Sequence, residues 1–222
     1  MQQLAIKVPA GGAHCDPDVH PLTRARRRGW RPLFGQAAAA QGHLRNQAVG
    51  PGDLFLFFGL FRHTERIAQR VRWRKEPARH VAWGYLQVQE GWDAAQCKEA
   101  PEWAADHPHI AAPRRRLNTV YVARHALSFA GTRPGAARLR YHPRLVLTAH
   151  GRRGSSLWWL PGAFWPADGL PTLTYHTGVT KWTKLSETTV QVRSVGRGQE
   201  FVVEASPDMT TWARELVDAG LG

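Results

Sequence analysis

Apolar and polar positions alternate along several stretches of the chain. His80–Glu90, Asn118–Ala123, Arg144–Ala149, Thr188–Val195 and Gln199–Glu204 read as strands, since successive strand side chains face opposite sides. Met1–Pro9 alternates weakly and predicts one more strand. Leu54–Phe58 is an unbroken apolar run, too short to span a membrane, and fits a buried strand. Before it, the stretch from Gly35 to Gln47 predicts a helix, closed by the turn signal Gly50-Pro51-Gly52-Asp53. That helix carries Gln36, Gln41, His43, Arg45 and Asn46, more polar groups than an amphipathic helix needs. Gln36 and His43 are seven residues apart, so they share a face, and Ala37–Ala40 between them admit a large neighbour. Arg62–Arg79 predicts an exposed basic hairpin or loop, or a helix at its start. Asp208–Ala219 predicts a terminal helix with Trp212, Leu216 and Val217 on its apolar side. Together the elements predict an α+β fold, a single domain over residues 1–222 built on a curved, barrel-like or mixed sheet with flanking helices. No internal repeat or low-complexity linker divides the chain.

Charge changes this picture. The formal net charge is +13, and only five of the 30 basic residues are Lys, which leaves 25 Arg. Abundant Ala, Arg, Gly, Pro and Trp fit a GC-rich genome, which explains Arg over Lys but not the deficit of acids. A polyanionic partner accounts for both, because guanidinium forks match phosphate geometry. Arg27, Arg28, Arg45, Arg62, Arg72 and Arg74 are the candidate phosphate contacts. The two cysteines, Cys15 and Cys97, form neither a disulfide framework nor a Cys-x-x-Cys pair. No signal peptide or long apolar run is present, so a cytoplasmic protein without membrane partners is expected.

Candidate chemistry concentrates early. His14, Asp16 and Asp18 alternate in a loop, and alternation would point them into one site. The carboxylates could act as general base or oxocarbenium stabiliser, could bind a divalent metal, or could simply cap turns. His107 and His109 flank a proline, and with no third ligand nearby they read as fixing a loop through backbone hydrogen bonds. Asn118 opens a strand, where it either reads a base edge or caps the loop before it. Ten tryptophans are many for this length; most should be core, and Trp158 with Tyr175 and His176 is a candidate aromatic lining.

The motifs that carry these residues resemble the nucleotide modification associated domain 3 family, known mostly from bacterial and phage genomes. The resembling segments are His14–Asp18, Phe34–Gln47, Gly50–Gly59, His80–Val88, His107–His109, Asn118–Val122, Ser156–Trp158, Tyr175-His176 and Gly198–Val202, in order along nearly the whole chain. Family members are expected to carry a longer segment before the His-x-Asp-Pro-Asp element, so no residue from such a segment is carried over. The resemblance implies a role near nucleic-acid base modification and raises the catalytic reading of Asp16 and Asp18. The succession of Gly-Asp turn, apolar strand, insertion and Gly-Tyr-Leu-Gln-Val strand is also similar, more loosely, to the barrel of PUA-like domains (the ASCH and EVE groups), which bind RNA or modified bases.

Two functions follow as expectations. In one, the chain is an enzyme acting on a modified base in DNA or on a nucleotide, by glycosylase-type removal or by base modification. Asp16 or Asp18 does the acid–base or charge-stabilising work with His14 or His43. Gln36, Gln41, Asn46, Asn118, Tyr175, His176 and Trp158 hold an extruded base, and the arginines hold phosphates. In the other, the same pocket reads a modified base without chemistry. No phosphate-cradling Gly-x-x-x-x-Gly-Lys-Ser/Thr loop, no Gly-x-Gly-x-x-Gly fingerprint and no Gly-x-Ser-x-Gly elbow occurs, so neither a resident nucleotide cofactor nor a metal is assigned.

Overall fold

The structure is a computed structural model that describes residues 14–68, 70–112, 117–151, 155–166, 173–194 and 200–222. In chain order it contains β1 (Leu33–Ala37), α1 (Ala38–Asn46), β2 (Leu54–Phe61), β3 (Thr64–Ile67), β4 (Arg70–Trp73) and β5 (Arg79–Trp92). These are followed by α2 (Pro108–Ala111), β6 (Asn118–Ala123), β7 (Ala126–Leu127), β8 (Ala130–Pro134) and β9 (Ala136–Arg138). The chain closes with β10 (Leu157–Pro161), β11 (Trp182–Lys184), β12 (Thr189–Arg193) and α3 (Pro207–Leu221). The expected strand at Met1–Pro9 and the turn at Gly196-Arg197-Gly198 lie outside the described residues.

An antiparallel sheet in the order β1-β6-β5-β2, with β9 also paired to β5, forms the frame. The 14-residue β5 is its spine, carrying β6 at one end and β2 with β9 at the other. A second antiparallel sheet runs β10-β12-β11. The strip Val146–Thr148 joins the two sheets: Val81 bridges Val146, and Thr148 bridges Trp158. Register shifts at Phe57/Phe58 and at Val88/Glu90 bend the long strands, as bulges do, and the sheet curls into a half-barrel. The architecture is therefore α+β with a curved sheet, as the sequence predicts, and the sheet is antiparallel rather than mixed.

The faces of β1 separate two cores. Phe34 packs edge-on to Phe55 and Phe57 and against Tyr121, while Leu33 packs with Val120, Val122, Cys97 and Ala104 on the other side. The terminal α3 begins at an N-cap whose Ser206 hydroxyl accepts from the Met209 N–H, and it buries Leu216 and Val217 against Val81, Tyr85 and Leu145.

Two local expectations are corrected. Gly35 and Gln36 lie in β1, not in a helix: Leu33 to Ala37 pair residue for residue with Val122 to Asn118, and α1 starts only at Ala38. The ladder to β6 outweighs the helix preference of the alanines, and the switch is made at Ala38, whose φ is +55°. Gln36 and His43 therefore do not share a helix face. Phe201–Glu204 forms no ladder; it is tied by a bond from the Thr174 N–H to the Val202 carbonyl and one from the Val202 N–H to Thr174 Oγ1. The Gly50–Asp53 turn forms as read, with the Gly50 N–H on Asp53 Oδ2 at 2.8 Å, Gly52 at φ +99°, and its N–H on the Val88 carbonyl. The basic insertion is the β3–β4 hairpin, with no helix.

Candidate functional site

Gly35 belongs to the Leu33 face of β1, and on that face the structure assembles a carboxylate ringed by imidazoles. Asp16 Oδ1 accepts the Gly35 N–H at 2.8 Å and stands 3.4 Å from His107 Nε2. Asp16 Oδ2 is 3.3 Å from His109 Nε2 and 3.7 Å from His14 Nε2. The Asp16 side chain is 7% exposed and that of His107 is fully buried, whereas His14 is 61% exposed. The cluster thus has a closed floor and one wet side. Burial works against the Asp16 charge, but the close approach of the His107 and His109 imidazoles and the hydrogen bond from the Gly35 N–H outweigh it. The carboxyl is held down to about 2.

Each imidazole is oriented by a different neighbour. The His109 Nδ1 lies 2.7 Å from Asn118 Oδ1, and Asn118 Nδ2 donates to the His109 carbonyl at 3.0 Å. With Asn118 Oδ1 as acceptor, His109 Nδ1 carries a proton, and Nε2 is aimed at Asp16. The Asp16 hydrogen bond, opposed by burial and aided by Asn118, pushes the His109 pKa up. His107 caps α2: its Nδ1 accepts the His109 N–H at 3.3 Å, which makes Nε2 the protonated nitrogen. That buried Nε2 is within ion-pair range of Asp16 but too poorly angled for a hydrogen bond. His14, Asp16 and His109 place one ligand atom each within 4.8 Å of one another, a donor set that could take a single divalent transition ion.

The alternation of His14, Asp16 and Asp18 does not deliver all three to this centre. Asp18 bridges Leu33, and its fully buried carboxylate is gripped by Arg26 at 2.5 and 2.6 Å and by Arg24 at 3.3 Å. Burial opposes the Asp18 charge, but Arg26, Cys15 and Arg24 outweigh it and lower its pKa. Arg26 in turn lies 3.9 Å over the Trp30 ring. Asp18 is thus held by these arginines, apart from the grouping of His14, Asp16 and His109.

The residues expected to contact a base occupy varied settings. Gln41 is buried and accepts from the Tyr121 hydroxyl at 3.1 Å, which ties α1 to β6. Asn118 is buried on His109 rather than open to a base. Trp158 is core: its indole N–H donates to His80 Nδ1 at 2.8 Å and its ring packs against Phe58 and Phe201. His176 is fully buried against Phe201 and Trp182, and burial lowers its pKa. Asn46 is exposed at the end of α1.

Gln36 and His43 nonetheless meet partners on two stretches that are themselves tied together, those of Glu200 and Thr174. Gln36 Nε2 donates to Glu200 Oε1 at 2.7 Å, and His43 Nε2 lies 3.1 Å from Thr174 Oγ1. Tyr175, at φ +66° and 42% exposed, lies over His43 with ring centroids 4.7 Å apart. Gln36 projects from the face of β1 opposite to Gly35, so the expected single pocket of carboxylates and amides is two clusters on two faces.

Among the arginines, Arg27 pairs with Glu102, Arg72 with Glu65 and Arg74 with Glu76, while Arg28 and Arg45 are exposed. Arg27 and Arg28 line an open cleft with Glu102 and Trp103. The residues that sequence reasoning undervalued are His107 and His109. Their available signal was that His107–His109 is one of the segments that resemble the family.

A half-barrel sheet carrying a buried carboxylate–imidazole centre defines the chain as an α+β protein. The model of the nucleotide modification associated domain 3 family matches residues 1–204 of the 222-residue chain, and the chain belongs to that family. No curated protein and no solved structure matches it. Membership connects the chain with nucleic-acid or nucleotide modification. No helix among the described residues is long and apolar enough to cross a membrane.

Proposed function

We propose that the protein is an enzyme acting on a modified base in DNA, by glycosylase-type removal or by modification of the base, with its reactive centre at Asp16. The observation that carries this reading is the Asp16 carboxylate itself: nearly buried, ionised, and ringed by His14, His107 and His109 with one side open. A fixed anion of this kind stabilises the positive charge that develops on a sugar as its bond to a base breaks. His109, held by Asn118, is the proton carrier, and the exposed His14 meets the leaving group or water. Arg27 and Arg28 hold the flanking phosphates.

The test uses duplex DNA carrying hydroxymethylated or glucosylated pyrimidines beside unmodified DNA, with released base and abasic sites followed by mass spectrometry and binding by gel shift. Asp16→Asn and His109→Gln are expected to abolish product while binding persists. Product formation undiminished in both variants would remove the centre from the reaction. A parallel arm with chelator separates direct acid–base work from work by an ion on His14, Asp16 and His109.

The second reading, a non-catalytic reader of modified bases, is favoured by the exposed Tyr175 stacked on His43 beside the Gln36–Glu200 pair. That cluster offers a ring platform and an amide for a base edge. Selective retention of modified DNA with no covalent change, lost in Tyr175→Ala, would establish it.

A further inference from the structure

A groove of about 640 Å³ lies away from Asp16, between the β3–β4 hairpin, the first half of β5 and the stretch following β9. Its lining includes Arg62, Arg79, Arg138, Arg140, Trp83 and Tyr141, with Phe61 at its edge. Arg138 and Arg140 are two apart in an extended segment, so they project to one side while Leu139 between them is buried. Glu76 engages Arg79 at 3.7 Å, Arg74 at 3.1 Å and His63 at 3.2 Å. Among the described residues no carboxylate comes within ion-pair distance of Arg62, Arg138 or Arg140. Arg62 Nε donates to the Arg74 carbonyl at 3.0 Å, and the exposed Arg138 and Arg140 carry no carboxylate partner among the described residues, so the groove presents a net positive surface to an anion.

The aromatics are arranged for contact as well. Phe61 is 49% exposed and Tyr141 57% exposed, and the Tyr141 ring is held edge-on to His63 at 5.6 Å. Gly59 makes this possible on β2: a Cβ there would lie 3.0 Å from the Phe61 ring and 3.5 Å from Trp83, so the bare backbone lets both rings cross the strand.

We propose that this groove is a track for single-stranded nucleic acid, with phosphates on Arg62, Arg138 and Arg140 and unpaired bases on Tyr141 and Phe61. Alternating cationic and aromatic groups suit a single strand, whose bases are free to stack on protein rings. A duplex offers phosphates but keeps its base faces covered, leaving the exposed rings unused. The inference takes from the proposed function only the class of partner, and it requires no chemistry at Asp16.

The experiment is fluorescence anisotropy of the full chain with a labelled 15-nucleotide dT strand, a duplex of equal length, and thymidine monophosphate as competitor, over a salt series. The strand is expected to bind more tightly than the duplex, with the mononucleotide a poor competitor. Tyr141→Ala should weaken strand binding roughly 5- to 150-fold, the range of one stacked base. Arg138→Ala with Arg140→Ala should reduce the slope of log affinity against log salt by about 1.4, and Lys98→Ala should change nothing. Equal affinity for duplex and strand, efficient competition by the mononucleotide, or strand binding unaltered in the Tyr141 and Arg138/Arg140 variants would each overturn the track. Base processing that depends on Asp16 would stand through any of those results, because it is read as product rather than as binding.

Discussion

A Cβ placed on Gly35 would come within 2.4 Å of His109 Cγ and 2.9 Å of His109 Cβ, so His109 occupies the space that any other residue at position 35 would fill. The same glycine donates its N–H to Asp16. One bare position on β1 thus seats both the carboxylate and its imidazole partner.

Gly35→Ala is accordingly expected to push the His109 ring off Asp16. Overpacking of this kind costs about 1–3 kcal/mol, and product formation should fall much further than stability does. Thermal melts read beside base release check this; full activity in Gly35→Ala would show that His109 does not need its present seat.

Asp16 also makes stability depend on pH. Its carboxyl falls from 3.8 in the open chain to about 2 in the folded protein. The stabilisation is thus fully present above about pH 4 and is lost as pH falls through the folded value. At 1.36 kcal/mol per unit the contribution is about 2 kcal/mol. In urea melts, the gap between the native protein and Asp16→Asn should narrow as pH is lowered from 5 towards 2. A gap that stays constant would mean that Asp16 is not held ionised by its neighbours.

Asp18 should behave differently from Asp16. Asp18→Asn leaves Arg26 with a buried charge and no carboxylate, a loss of about 3–5 kcal/mol, while turnover per folded molecule should not change. Loss of turnover without loss of stability would return Asp18 to the chemistry.

Asn118 is a positioning residue. Asn118→Leu removes the acceptor from His109 Nδ1, so the raised His109 pKa should drop towards the ordinary value, as followed by NMR of the ring protons. Turnover should fall and shift along the pH axis, with binding of modified DNA retained. An unchanged His109 titration would separate Asn118 from the centre.

Much of the frame was legible because it depends on local pattern. The alternation in His80–Glu90 and Asn118–Ala123, the apolar run of Leu54–Phe58 and the Gly50–Asp53 turn each mark their own element. The break between β1 and α1 was not legible, since the alanines after Gln36 favour a helix and only the ladder to β6 holds Leu33–Ala37 extended. The settings of Gln41, Asn118 and Trp158 were not legible for a related reason. A polar side chain reads alike whether it faces a ligand or a partner 80 residues away, and Gln41 finds that partner in Tyr121.

The sequence by itself determined the α+β class, the family and the basic character, and it brought His14 and Asp16 forward as candidates, because all of these reside in composition, short motifs and periodicity. Tertiary structure alone decided that Asp16 is joined by His107 and His109 while Asp18 is turned onto Arg26. It also set Gln36 and the Asp16 carboxylate on opposite faces of β1. The physical reason is that burial, charge pairing and close approach are properties of space. His109 stands 93 residues after Asp16 and reaches it only because the sheet curls and Gly35 has no side chain.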